Sequence, residues 1–252
     1  MGSKSVEMAN KVPLITGYFW VIKVLSTTVG ETFADWINNS LGLGLTKTSF
    51  LIFMVLIGFL ILQFRDLEYR AIHYWEVVVF MSIAGTLFTD NLTDNLKVSL
   101  TLSTLFFGLL LAVTFFIWNY EEKTLSIKEI NTRRREVFYW IVILLTFALG
   151  TASGDLIAEK IDLGYGKTFL LFVGIVTTIL ALWRMKLINN ILTFWLCYIM
   201  TRPLGAASGD FLSQAKSDGG IGLGTEITSI TYLIFIIGFV TYLHLKKVDV
   251  IK

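Results

Sequence analysis

An all-α integral membrane protein, with eight transmembrane helices arranged as four parallel two-helix repeats, is the fold that this sequence predicts. Three observations predict it. The 252 residues are 55% hydrophobic and only 16% charged, with a mean hydropathy of +0.70, well above what a soluble globular domain carries. Apolar runs long enough to cross a bilayer follow one another along nearly the whole chain. Alternate runs each hold an acidic residue, Glu31, Asp90, Asp155 and Asp210, at spacings of 59, 65 and 55 residues, the signature of an internal repeat.

The elements follow in order. Helix one starts at Pro13, whose fixed φ suits a first helical position, and runs to about Asn38. After the turn-like Leu41-Gly42-Leu43-Gly44, an apolar helix two spans Thr48 to Gln63. Helix three is read over Tyr74 to Asn95, helix four over Leu96 to Trp118, helix five over Val137 to Ile161 and helix six over Gly166 to Leu182. Helix seven runs from about Leu187 to Ser213 with a break expected at Pro203, and helix eight from Thr225 to Leu245. The whole of 1–252 is one transmembrane domain, with repeats at about 13–65, 73–120, 137–185 and 187–247.

Within each odd helix, positions four apart share a face. The four sets are Lys23, Thr27, Glu31 and Asp35; Ser82, Thr86, Asp90 and Asp94; Phe147, Thr151, Asp155 and Glu159; and Arg202, Ala206, Asp210 and Gln214. Each set is a polar stripe on a greasy helix. The economical packing places the striped odd helices inside and the apolar even helices outside. Trp75, Trp140 and Trp195 each precede the acid of their repeat by 15 residues and are read as an interfacial aromatic belt. The Gly-x-Gly pairs after three of the stripes are read as turns and helix starts.

Fourteen of the 21 Lys and Arg residues fall at the N-terminus, at the C-terminus and in the loops after helices two, four and six, against five in the other loops. By the positive-inside rule both termini are cytoplasmic and the protein sits in the cell's cytoplasmic membrane. The apolar run after Pro13 leads into the first stripe instead of a cleavage site, so no signal peptide is read.

Ionisable groups inside a bilayer are costly and persist where they pair, hydrate or act. Glu31, Asp35, Asp90, Asp94, Asp155, Glu159 and Asp210 are the expected ion- or proton-binding residues, with Glu31, Asp90, Asp155 and Asp210 as metal ligands. Thr27, Thr86 and Thr151 would support them. Lys23 and Arg202 would tune the charge or hold an anion, and Pro203 would permit movement. An oxygen-only ligand set without clustered His or Cys suits a hard cation such as Mg²⁺, Mn²⁺ or Ca²⁺, or a proton. No other cofactor is expected, and the partners are the lipid bilayer and a small ion or solute. No basic run with interleaved aromatics suggests nucleic acid. No nucleophile–base pair suggests an enzyme.

Three motifs carry a resemblance: Phe19-Trp20-x-x-Lys23-x-Leu25-x-Thr27-x-x-Gly30-Glu31 with Asp35, Phe147-Ala148-Leu149-Gly150-Thr151-Ala152-x-Gly154-Asp155 with Glu159, and Thr201-Arg202-Pro203-Leu204-Gly205-Ala206. In these the chain resembles a family of uncharacterised bacterial multi-pass membrane proteins, described as membrane-anchored or repeat-containing. The resemblance implies a bacterial inner-membrane protein and brings no established activity. The leading expectation is a transporter of a hard cation, or a proton-coupled one. The alternatives are a proton-coupled transporter of an anionic solute held by Lys23 and Arg202, and a non-transporting scaffold or sensor with a buried salt-bridge network.

Overall fold

The computed structural model describes residues 8–40, 42–160 and 163–250. They form eight α-helices: α1 (Gly17–Asp35), α2 (Leu45–Arg65), α3 (Ala71–Asp90), α4 (Leu100–Glu122), α5 (Arg133–Asp155), α6 (Tyr165–Arg184), α7 (Asn190–Ser213) and α8 (Thr225–Lys246). There is no strand among the described residues. Six of the eight, all but α1 and α7, are long and apolar enough to cross a membrane. The two exceptions carry Lys23, Glu31 and Asp35, and Arg202 and Asp210, along with many Thr, Ser and Gly residues. They are polar because other helices enclose them.

Helices α1, α3, α5 and α7 form a closed ring, each packed against its two neighbours in that order and α7 returning to α1. The even helices pack around it, and their large apolar side chains, such as Phe50, Leu109, Phe116, Leu170 and Ile237, are exposed. A polar interior inside an apolar exterior reverses the order of a water-soluble fold. The pairing of the outer helices in space is offset from their order in the repeats. Helix α2 lies on α3 rather than on α1, α4 lies on α5, α6 on α7, and α8 closes the circle on α1. Each even helix therefore covers the odd helix that follows it.

Close approach within the ring depends on one glycine per interface. A Cβ on Gly30 would collide with Ser82, one on Gly85 would lie 2.5 Å from the Phe147 Cβ, one on Gly150 would collide with Arg202, and one on Gly205 with Thr27. Small residues at such positions let backbones touch. Pro203 does not break α7, which is continuous from Asn190 to Ser213. Its ring instead rests against the Cα faces of Gly150 and Gly154.

Helix starts follow the chemistry of the loops. Gly44, Gly164 and Gly224 precede α2, α6 and α8 with φ of 76°, 75° and 82°, a conformation that costs little only without a side chain. In the second repeat the Ser99 side chain caps α4 by accepting from the Leu102 amide at 3.3 Å, so α4 begins later than Leu96. Three odd helices end in a five-residue π-helical turn, at Trp36–Ser40, Asn91–Asn95 and Leu156–Lys160.

An N-terminal segment straps the end of the ring where the odd helices begin. The Ala9 amide donates to Leu67 O (3.0 Å), that of Lys11 to Ile130 O (3.0 Å) and that of Leu14 to Asp249 O (2.9 Å), which ties two loops and the C-terminal segment together. Lys11 is 1% exposed, pairs with Glu136 Oε1 at 2.6 Å and donates to Gln63 O. Burial draws its ammonium below the ordinary lysine range while Glu136 pulls it back up.

Candidate functional site

The end of the ring opposite the strap holds an acidic vestibule of about 580 Å³. Its wall includes Glu31, Asp35, Asp90, Asp94, Asp155 and Asp210, from all four odd helices and the π turn after α3. The register read from the sequence thus brings six of the seven predicted carboxylates to one cavity. The side chain of the seventh, Glu159, lies outside the described residues. Three of the four predicted metal ligands converge: Glu31, Asp155 and Asp210 each offer one carboxylate oxygen, and these lie within 4.8 Å of one another. Asp90 lines the same cavity but is not in that cluster. Asp94 is exposed at the rim, and its Oδ1 accepts from the Thr93 hydroxyl at 3.3 Å. The π turn that starts at Asn91 explains this. Its wider winding of i to i+5 rotates Asp94 off the stripe that an α-helix would continue.

One turn below the acids, the register places Thr27, Thr86, Thr151 and Ala206, all fully buried. The guanidinium of Arg202 occupies this level. Its Nη1 donates to Thr27 O at 2.6 Å and its Nε to Phe147 O at 3.3 Å. Its Nη2 donates to Thr151 Oγ1 at 2.6 Å, to Glu31 Oε2 at 3.1 Å and to Thr86 Oγ1. The Thr86 hydroxyl in turn donates to Glu31 Oε2 at 3.2 Å. One side chain from α7 is therefore bonded to α1, α3 and α5. It seals the floor of the vestibule, and its pairing partner is Glu31 rather than Asp210.

Below Arg202 lies Lys23, fully buried. It pairs with no carboxylate among the described residues, and its Nζ sits 4.2 Å from the centroid of the Phe147 ring and 4.3 Å from that of Tyr198. The tryptophans beneath do not form an interfacial belt. Trp75, Trp140 and Trp195 are 1%, 3% and 4% exposed and pack with Tyr74, Tyr139, Phe194 and Tyr198 into an aromatic tier that fills the ring. They are shielded because odd helices are flanked on both sides and covered by even ones: Trp195 packs on Phe115 and Trp118 of α4, and its Nε1 donates to Leu125 O at 3.0 Å.

Sequence reasoning missed the Lys11–Glu136 pair and the tyrosine hydroxyls. Glu136 stands among charged neighbours in the most polar stretch of the chain, so nothing local sets it apart. Tyr74 and Tyr139 did carry a signal, since both stand 16 residues before the acid of their repeat.

Fold and site together define a class: an all-helical repeat protein with helices long and apolar enough to cross a membrane, enclosing an acidic vestibule on its axis. The family described as Repeat of Unknown Function (DUF347) matches the chain four times, at residues 18–67, 73–124, 138–186 and 193–249, and the chain belongs to that family. No curated protein and no solved structure matches it.

Proposed function

We propose that the protein is a membrane-embedded carrier of a hard cation, which enters at the acidic vestibule and is held by Glu31, Asp155 and Asp210. One observation carries this reading. The three carboxylates converge on one point of the vestibule, and the Asp210 carboxylate, 7% exposed, has no side-chain hydrogen bond or ion pair among the described residues. A buried carboxylate lining a cavity without a partner is suited to a ligand that brings positive charge. Oxygen donors alone favour Mg²⁺, Mn²⁺ or Ca²⁺ over softer metals. In this reading all eight helices span the cytoplasmic membrane as four parallel repeats, the fourteen Lys and Arg residues lie on the cytoplasmic side with both termini, and the vestibule opens outward. The filled axis below Arg202 favours a carrier over an open pore. Asp35, Asp90 and Asp94 would draw cations to the mouth.

A second reading has its own support. Arg202 bonds to all three other ring helices, as a scaffold closed by an internal salt bridge requires. The anionic-solute alternative draws less from the geometry, since the guanidinium is already engaged by protein acceptors and Lys23 lies deeper still.

The test is uptake by vesicles containing the purified protein, with thermal unfolding in detergent measured across Mg²⁺, Mn²⁺, Ca²⁺ and Na⁺. A cation that binds the folded state raises its stability by about 2.7 kcal/mol at a hundred times its Kd. The expected result is a selective shift and a flux of that cation, both lost in Asp155→Asn while the variant still folds. No flux and no shift with any cation, joined to strong destabilisation of Asp155→Asn, would establish the scaffold instead.

A further inference from the structure

On the strap side of Arg202 the axis carries polar groups that cation binding does not use. The Lys23 Nζ is fully buried without a hydrogen-bond partner, and so is the Tyr198 hydroxyl. Buried polar groups are nearly always paired, and the Lys23 ammonium and the Tyr198 hydroxyl, whose ring centroid lies 4.3 Å from the Lys23 Nζ, are satisfied together by a shared polar occupant such as water. Below them the hydroxyls continue. The rings of Tyr198 and Tyr139 both pack on Trp195, at centroid distances of 6.0 and 6.2 Å. The Tyr139 hydroxyl lies 2.5 Å from that of Tyr74. The Tyr74 ring meets that of Tyr69 at 5.6 Å, and the Tyr69 hydroxyl donates to Asp249 Oδ2 at 2.5 Å. All four tyrosines are buried, and the file ends at the C-terminal segment under the strap.

We infer that Lys23 is a proton-binding site and that Tyr198, Tyr139, Tyr74 and Tyr69 conduct its proton to Asp249, at the end of the molecule where both terminal segments lie. The inference rests on the carrier reading, to which it adds the coupling ion. Lysines held in apolar surroundings are the ones proteins use to take up and release protons. The groups facing Lys23 are few. Helix α5 presents the Phe147 ring, and α7 Tyr198 and Arg202. Arg202 is the one charged group acting on Lys23 among the described residues, and α8 contributes none. In one passage the Lys23 ammonium gives up a proton to the first hydroxyl or its bridging water. Each hydroxyl releases its own proton as it accepts one, and the Asp249 carboxylate takes the last. Lys23 is left as a neutral amine, which a proton from the vestibule side restores. Only N–H and O–H bonds change.

The experiment uses the full-length protein in vesicles with a pH-reporting dye trapped inside, a pH step across the membrane, and Mn²⁺ flux recorded in parallel. Wild type is expected to move protons. Lys23→Met, Lys23→Arg and Tyr139→Phe are expected to slow that movement at least tenfold, Lys23→Arg because it keeps the charge but holds its proton. Tyr139→Phe removes one oxygen from a packed ring and guards against a folding artefact. Proton movement at the wild-type rate in Lys23→Arg or Tyr139→Phe overturns the inference. So does wild type that moves Mn²⁺ and no protons, which leaves the carrier reading standing. Proton movement that depends on Lys23 without flux of any cation supports this site and sinks the cation carrier.

Discussion

Arg202 shows how a single side chain can decide the state of a whole axis. Its donors meet acceptors on three other helices, and the guanidinium is fully buried. Removing it strands Glu31 and two threonines in the interior. Breaking a buried pair from one side costs about 3–5 kcal/mol, and Arg202→Gln is expected to lower the stability measured by thermal unfolding by that order. Arg202→Lys should rescue only part of it, because one ammonium cannot reproduce the planar fork. The sequence made Arg202 conspicuous, being a charge in an apolar run on the same face as Asp210, but could not name its partner. The true partner, Glu31, is 171 residues distant. Periodicity tells which residues share a face and is silent on which faces meet.

At the scale of the element, the odd helices are specified twice, by polar stripes and by glycines. The stripes were legible because an α-helical period of four aligned the acids, and their convergence on one cavity follows from that register. Beyond the acids the period changes, since π turns follow Asp35, Asp90 and Asp155, yet Asp35, Asp94 and Gln214 still line the vestibule. Asp94 sits exposed at the rim. The glycines predict a graded response. Gly150→Ala drives a methyl into Arg202 and is expected to destabilise by about 1–3 kcal/mol, while Gly58→Ala, with open space around its Cα, should be neutral or slightly stabilising. Thermal unfolding of both variants checks the contrast. If Gly150→Ala also weakens any cation-dependent stabilisation, the Arg202 floor and the carboxylates above it act as one unit.

For the whole molecule, the distribution of polarity was plain in composition, and the membrane-like exterior follows from even helices that remain apolar on their exposed faces. The strap was not plain. Lys11 sits in a polar N-terminal stretch that reads as solvated, and only the fold encloses it with Glu136 and Gln63. Lys11→Met is expected to cost up to about 3 kcal/mol by leaving Glu136 with Arg133 as its one ion-pair partner, and Glu136→Gln in the same background should recover part of that loss in a double-mutant cycle.

The offset pairing of outer and inner helices has a consequence for how the protein is made. Synthesis proceeds from α1 to α8, yet the helix that covers α1 is the last of these eight to emerge. Thr32 on α1 waits for Ser229 on α8, 197 residues later, to complete a 2.7 Å hydrogen bond. Until then the first stripe stands in the membrane without its cover, and the nascent chain holds the only helix whose mate is yet unborn. Because the Leu14 and Asp249 backbones already touch, the two ends can be joined and the chain reopened between α1 and α2. That permuted gene would release every outer helix immediately before the inner one it covers. Its product is expected to reach the same melting temperature while demanding less of the insertion machinery, measured as a higher folded yield at equal expression.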